Sequence, residues 1–278
     1  MRILITGKGS SGSWQCRGVQ LGGQVGTVKA RASLDDFKKA DLVVAVKRIT
    51  PGFIRAIGES GTPWIWDLVD FYPQPQCSTW TMAVAVKWVR RKIKQFRPDG
   101  VIWPNACMQG DCDLPGQVIY HHARQAPVNP IREKVAVVGY QGSEKYLGVW
   151  RAAIEAECAR RGLLFKVNIP LDEMDVVVAF RDGVHNGDVQ RRWKSNVKMA
   201  NAHGTGTPFV GQPDNAYRET QTGLECWVQS RSNLSQSFDK LEPYETRLEI
   251  HKRFIDNTIK LESVGDQLQG YAETLLRD

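Results

Sequence analysis

The residues best equipped for chemistry lie in one stretch, Lys194-Ser195-Asn196-Val197-Lys198, which opens a helical run that closes at Gly204-Thr205-Gly206-Thr207-Pro208. Ser195 is a good N-cap, so the free N–H groups of the first turn point outward with Lys194 and Lys198 beside them. A positive helix end flanked by two ammonium groups is an anion site. Arg181 stands at the carboxyl end of the preceding strand-like run, DVVVAFRDG, and adds a third cation. Together these groups carry enough positive charge to neutralise a diphosphate. Tyr217 and Glu219 come after the next strand-like run, where an acid can reach a ribose hydroxyl pair.

A second set is acidic. The run Trp66-Asp67-Leu68-Val69-Asp70-Phe71-Tyr72-Pro73 puts Asp67 and Asp70 at the end of a strand, where a carboxylate can take the proton of an attacking hydroxyl. Asp70 is the preferred base, and His121 and His122, at another strand end, are alternatives. A glycine loop, Gly7-Lys8-Gly9-Ser10-Ser11-Gly12, lies between the first strand and a helix over Trp14–Leu21; it lets backbone N–H groups approach an anion closely. The acid that a dinucleotide fingerprint places ~20 residues further on is absent. Val28-Lys29-Ala30-Arg31 stands there instead, and an arginine can accept a 2′-phosphate, but no hydride-transfer constellation follows. The loop is therefore expected to line a cleft through Gly9, Ser10, Ser11, Trp14 and Gln15 rather than to hold a nicotinamide.

Lys87, Arg90, Arg91 and Lys94 share the helix face opposite Val86, Val89, Ile93 and Phe96, a cationic surface able to follow a phosphate backbone. Asp111-Cys112-Asp113 spells DxD, but in a loop flanked by Gly and Pro, and no metal is expected there.

The elements that must position these groups alternate from the start of the chain. Arg2–Thr6, Asp41–Val46, Pro63–Trp66 and Gly100–Trp103 read as buried strands, and Thr79–Phe96 as an amphipathic helix. After the Pro-bearing stretch Gln125–Glu133, Lys134–Gly139 opens a second series. That series holds a helix over Lys145–Arg161, strands at Leu163–Val167, Met174–Phe180 and Pro208–Gly211, and a helical tail over Pro243–Leu276. The pattern predicts an α/β chain with one domain over 1–130 and another over 131–278, and a ligand cleft at the carboxyl ends of the strands.

Composition narrows the partners. The 278 residues hold 37 Lys+Arg against 30 Asp+Glu, a net charge of +7, which favours polyanions or phosphorylated ligands. Apolar residues at 42% and charged residues at 24% exclude a disordered or collagen-like chain. No apolar run approaches the ~20 residues of a membrane span and no secretory leader is visible, so a cytoplasmic protein without membrane contact is expected. The six cysteines are scattered in the manner of reduced thiols.

The segment from Arg181 through Lys194-Ser195-Asn196 to Gly206-Thr207-Pro208 and Glu219, with Gly223 and the helix around Leu234–Leu241 after it, resembles the donor half of GT-B glycosyltransferases. Gly139-Tyr140-Gln141-Gly142 resembles the loop after the first strand of that half. The resemblance covers residues 134–278 well and residues 1–130 only in general pattern. It implies two Rossmann-like domains facing a cleft, with a long C-terminal helix. It also implies a nucleotide-sugar donor, expected to be a UDP-sugar, held by Gly139, Tyr140, Gln141, Arg181, Lys194, Ser195, Asn196, Lys198, Tyr217 and Glu219 without a metal. The acidic motif that many retaining members carry ahead of this helix is replaced by Asn186–Trp193, which leaves retention or inversion open. Size and charge are similar to those of phage enzymes that glycosylate hydroxymethylcytosine in DNA, which implies a DNA acceptor in a host cytoplasm, met by the glycine loop and the Lys87–Lys94 face. A small-molecule or protein acceptor, a nucleotide-sugar epimerase and a non-catalytic DNA-binding module are the alternatives.

Overall fold

The computed structural model describes residues 1–277 apart from Ser10, Phe71, Gln74 and Pro75, together with the side chains of all of these but Gln76 and Cys77. Ser10, expected to touch the acceptor, thus lies outside the described residues. The chain builds two parallel sheets. The first has the order β2-β1-β3-β4-β5-β6, formed by β1 Ile3–Gly7, β2 Thr27–Val28, β3 Leu42–Val46, β4 Trp64–Asp67, β5 Gly100–Trp103 and β6 Gln117–Val118. The second has the order β11-β10-β9-β7-β8, from β7 Val137–Tyr140, β8 Leu164–Val167, β9 Val176–Ala179, β10 Phe209–Gly211 and β11 Cys226–Trp227.

These runs are strands because both of their faces are covered, which is why they read as continuous apolar stretches rather than alternating ones. Every residue of β3 and β9 is buried. On the first sheet Ile3, Ile5, Leu42 and Val44 face one core, while Leu4, Val43 and Ala45 face the other. In each sheet the chain first steps outward and then returns to the other side of its first strand. The order therefore reverses between β1 and β3, and again between β7 and β9, and ligands in open α/β sheets sit at the carboxyl ends of such pairs.

Several elements differ in detail from the sequence reading. The helix expected over Trp14–Leu21 winds as a π-helix over Trp14–Gln20 before an α-turn, Leu21–Val25. The helix expected from Lys145 begins at Val149, because Gly148 at φ 50° interrupts the chain after a 3₁₀ turn. The tail is two helices, Tyr244–Asp256 and Leu261–Arg277, broken at Asn257. Ile250 and Phe254 of the first pack into the core of the second sheet. Leu261, Val264, Leu268 and Ala272 of the second return to the first sheet and pack with Ile3, Ile5, Leu21 and Val25. The chain thus crosses between the sheets twice. The helix Asp188–Trp193 makes a further bridge, burying Val189 and Trp193 in the other core of the first sheet.

Candidate functional site

The carboxyl ends of the two sheets face each other across a cavity of about 820 Å³. The first sheet supplies Ser11 and Gln15 after β1, Lys47 after β3, Asp70 after β4 and His121 after β6; the second supplies Gln141 and Gly142 after β7, and Lys194, Ser195 and Lys198 beside the helix Val197–Thr205.

The electrostatics of the second sheet's wall are dominated by cations. Arg181, directly after β9, is 7% exposed, ion-paired with Asp214, and hydrogen-bonded through its backbone N–H to Gln212 Oε1 at 2.7 Å. Burial works against its charge, but Asp214 outweighs it and holds the guanidinium above its ordinary range. Its Nε has no hydrogen-bond partner among the described residues. Lys198 lies 3.9 Å from the centroid of the buried Tyr140 ring and forms no salt bridge among the described residues. Burial, reinforced by Arg181 and Lys194, pushes its ammonium well below the ordinary lysine range. Gly142, at φ +134°, brings the loop close to it: a Cβ there would be in ordinary contact with Lys198 Nζ at 3.5 Å. Asn168 holds that loop by accepting from Gly142 N at 2.8 Å and donating to Gly142 O at 3.1 Å.

Opposite stands Asp70, 7% exposed, between two lysines. Lys194 Nζ donates to its Oδ2 at 2.7 Å, and Lys47 pairs with its Oδ1. Burial favours the neutral acid, yet the two ammonium groups more than offset it and hold the carboxyl well below the usual range. In this arrangement Asp70 is charged but a weak base. His121 lines the same cavity with both ring nitrogens lacking hydrogen-bond partners among the described residues. Burial, with Arg17, His122 and Lys47 nearby and only Asp70 opposing, pushes its imidazole well below the ordinary histidine range, so it is neutral.

Other expected contacts are placed elsewhere. Asp67 is 1% exposed and paired with Arg17 at 2.8 Å, and Arg17 also donates to the carbonyls of Ile119 and Tyr120. The expectation of Asp67 as a second base is corrected: the carboxylate is sealed in a staple that ties the ends of the strands. The helix N-cap is Asn196 rather than Ser195, and neither side chain caps it, because Asn196 accepts from His121 N at 2.9 Å and donates to His121 O at 3.3 Å. Asn196 therefore clasps the two halves together, while Ser195 lines the cavity. Glu219 accepts from Ala106 N at 2.9 Å, Cys107 N at 3.0 Å and Tyr120 Oη at 2.9 Å, capping a helix of the first half instead of facing the cavity. Tyr217 and Trp14 are core residues, and Gly139 faces Met174.

Lys87, Arg90, Arg91 and Lys94 are exposed on the helix Met82–Phe96 and do not line the cavity. The two carboxylates of the DxD run are separated in role, Asp111 binding Arg192 at 2.6 Å and Trp193 Nε1 at 2.8 Å, and Asp113 ending its helix in the left-handed region. Lys47 escaped the sequence reading. Its signal was a cation directly after the buried run LVVAV, the same placement that marked Arg181 after β9.

No known family and no curated protein matches the sequence. Solved structures do match the fold. The chain is similar to AviGT4, a glycosyltransferase involved in avilamycin A biosynthesis, with a TM-score of 0.62 at 10% identity, over 100% of this chain and 98% of that one. It is similar to a UDP-GlcNAc 2-epimerase from Neisseria meningitidis bound to UDP-GlcNAc, with a TM-score of 0.56 at 11% identity over the whole of both chains. It is also similar to an alpha-glucosyltransferase in complex with UDP-glucose and DNA containing an abasic site, with a TM-score of 0.54 at 8% identity, again over both whole chains. At such low identity the likeness speaks for the fold, which is the GT-B arrangement of two Rossmann-like domains.

Proposed function

We propose that the chain is a nucleotide-sugar-dependent glycosyltransferase that moves a sugar, expected from a UDP-sugar, to a hydroxyl acceptor. The observation that carries this reading is the convergence of Arg181, Lys194 and Lys198 at the switch point of the second sheet, with a half-buried Lys198 that lines the cavity and has no carboxylate partner among the described residues. An ammonium that faces a cavity without a carboxylate partner is matched by an anion that enters it. A diphosphate seated there would meet Lys198 and Lys194 directly, with Arg181 behind them, and its growing charge would be stabilised as the sugar leaves.

In an inverting transfer the acceptor oxygen attacks the anomeric carbon, the bond from that carbon to the diphosphate oxygen breaks with its electron pair staying on the diphosphate, and the acceptor proton passes to Asp70. Asp70 is a weak base while Lys194 holds it. Drawing Lys194 toward the diphosphate raises the basicity of Asp70 when the donor is present. His121, neutral and unpartnered, is placed to hydrogen-bond the acceptor.

For the acceptor we propose 5-hydroxymethylcytosine in DNA, supported by the net charge of +7 and by the exposed cationic face Lys87–Lys94. The target base would have to leave the stack to enter the cavity. The test is incubation with labelled nucleotide sugars and DNA containing hydroxymethylcytosine. Label in the DNA is the expected result. Label in a small molecule or protein would refute the DNA acceptor alone, and a changed sugar nucleotide without any acceptor would replace transfer by epimerisation.

A further inference from the structure

The first sheet reverses its strand order between β1 and β3, and this switch point opens on a second cavity of about 380 Å³ that the transfer reading does not use. Its rim carries three cations, Lys8 from the glycine loop, Arg31 after β2 and Arg48 after β3, and no acidic side chain lines it. None of the three forms a salt bridge among the described residues. Its floor is Phe53 and small alanines, and one side is the start of the helix Pro51–Ser60, capped by Thr50, whose Oγ1 accepts from Phe53 N at 3.1 Å. Three exposed cations without carboxylate partners, around a recess that the first turn of a helix also lines, are matched in charge by a phosphate group.

The recess adjoins the main cleft. Lys47 lines the cleft and the next residue, Arg48, lines the recess; likewise Gly7 and Lys8 line the recess while Ser11 and Gly12 line the cleft. The wall between them is held in a costly conformation: Lys47 adopts φ 62° and Arg31 φ 54°, both in the left-handed region that ordinary side chains avoid. The left-handed turn at Lys47 is what sends the two neighbouring cations into separate cavities.

We propose that this recess is the phosphate subsite of the acceptor, holding a phosphate attached to the molecule whose hydroxyl is presented in the main cleft. The inference rests on the transferase reading for the word acceptor; the anion site stands on its own geometry. A phosphodiester of a DNA strand and a phosphomonoester of a small sugar present the same oxygens, so both are used as probes.

The test compares the wild-type protein with Arg48→Ala and Gly52→Glu, measuring affinity for a short DNA duplex and for glucose 6-phosphate, with inorganic phosphate as competitor. Gly52 lines the recess in the first turn of its helix, and a Cβ there meets nothing closer than Thr50 Oγ1 at 3.9 Å, so a glutamate fits without disturbing the fold and places a negative charge at the recess. Both variants are expected to weaken binding of the responding probe at least ~10-fold, and inorganic phosphate to compete in the wild type. If the duplex responds, the logarithmic salt dependence should also fall by about one unit in Arg48→Ala. Which probe responds identifies the source of the phosphate. Affinities unchanged in both variants, or no binding of either probe to the wild type, would overturn the subsite. Hydrolysis of a panel of nucleotide sugars, followed in parallel, separates the two readings: absence of hydrolysis of every donor with a responding probe removes the transferase and leaves the phosphate site, and the converse removes only the subsite.

Discussion

Replacing Asp70 by Asn should make the ligand-free protein less stable and its affinity for UDP higher at once. The carboxylate is shared by Lys47 and Lys194, and at 7% exposure it has little water to fall back on. Removing one member of a buried pair costs about 3–5 kcal/mol, and the amide oxygen that remains accepts one hydrogen bond worth ~1 kcal/mol. The net loss is ~3 kcal/mol at neutral pH, a fall of roughly 6–12 °C in Tm for a chain of this size. Because the folded-state value of Asp70 is depressed, its contribution is full above the ordinary carboxylate range near pH ~4 and disappears as pH falls through the depressed value, so the two proteins should converge in acid.

Asp70 is also the anion that a diphosphate must displace from Lys194. Their attraction at contact is ~4 kcal/mol at an effective dielectric of about 20, of which Lys47 retains a share when Lys194 leaves. The UDP complex is therefore expected to be ~10-fold tighter, or ~1.4 kcal/mol. Thermal denaturation with and without saturating UDP reads both effects: a lower baseline Tm in the variant and a UDP-induced rise larger than in the wild type. An unchanged baseline together with an equal or smaller rise would refute the competition.

Lys198→Ala should lower kcat/KM for donor hydrolysis by ~10²-fold through loss of a charge-assisted contact. Its Tm should hold or rise, because a half-buried cation without a carboxylate partner, close to Arg181 and Lys194, is removed; a lower Tm with unchanged kinetics would contradict both statements. His121→Gln should flatten the decline in stability from neutral pH to pH ~5, since a buried histidine with a depressed value binds its proton more readily after unfolding, and denaturant titrations across that window check it. Glu219→Gln should cost ~1 kcal/mol of stability with UDP affinity unchanged. Weaker UDP binding at constant Tm would return Glu219 to the ribose.

How much of this could be read from residues alone follows from the range of the interactions involved. Buried parallel strands are continuous apolar runs, and the cation after such a run stands at a strand's carboxyl end, so the place of Arg181 is legible from local pattern, while Lys194 and Lys198 are marked by the start of a helix and line the cavity. Asp67 was misplaced because its partner, Arg17, is 50 residues away, and nothing in Trp66-Asp67-Leu68 distinguishes a carboxylate facing a cleft from one facing an arginine. Glu219 fails for the same reason, its helix lying 112 residues upstream. Ser195 and Asn196 compete for the cap on nearly equal propensity, and the contest is decided by which one the other half of the molecule requires, a backbone amide 75 residues earlier. The short strands β2 and β11, two residues each, carry too little periodicity to be seen.

The return of the last helix to the first sheet also sets a schedule. Ile3, Ile5, Leu21 and Val25 are made well before the surface that covers them, Leu261 to Ala272. At ~5–20 residues per second, the interval between completion of β6 and completion of that helix is roughly 8–30 s, during which one flank of a finished sheet lies bare. The first sheet is thus made before the second yet covered after it, and nascent chains should depend on chaperones for that flank until residues 261–272 have emerged.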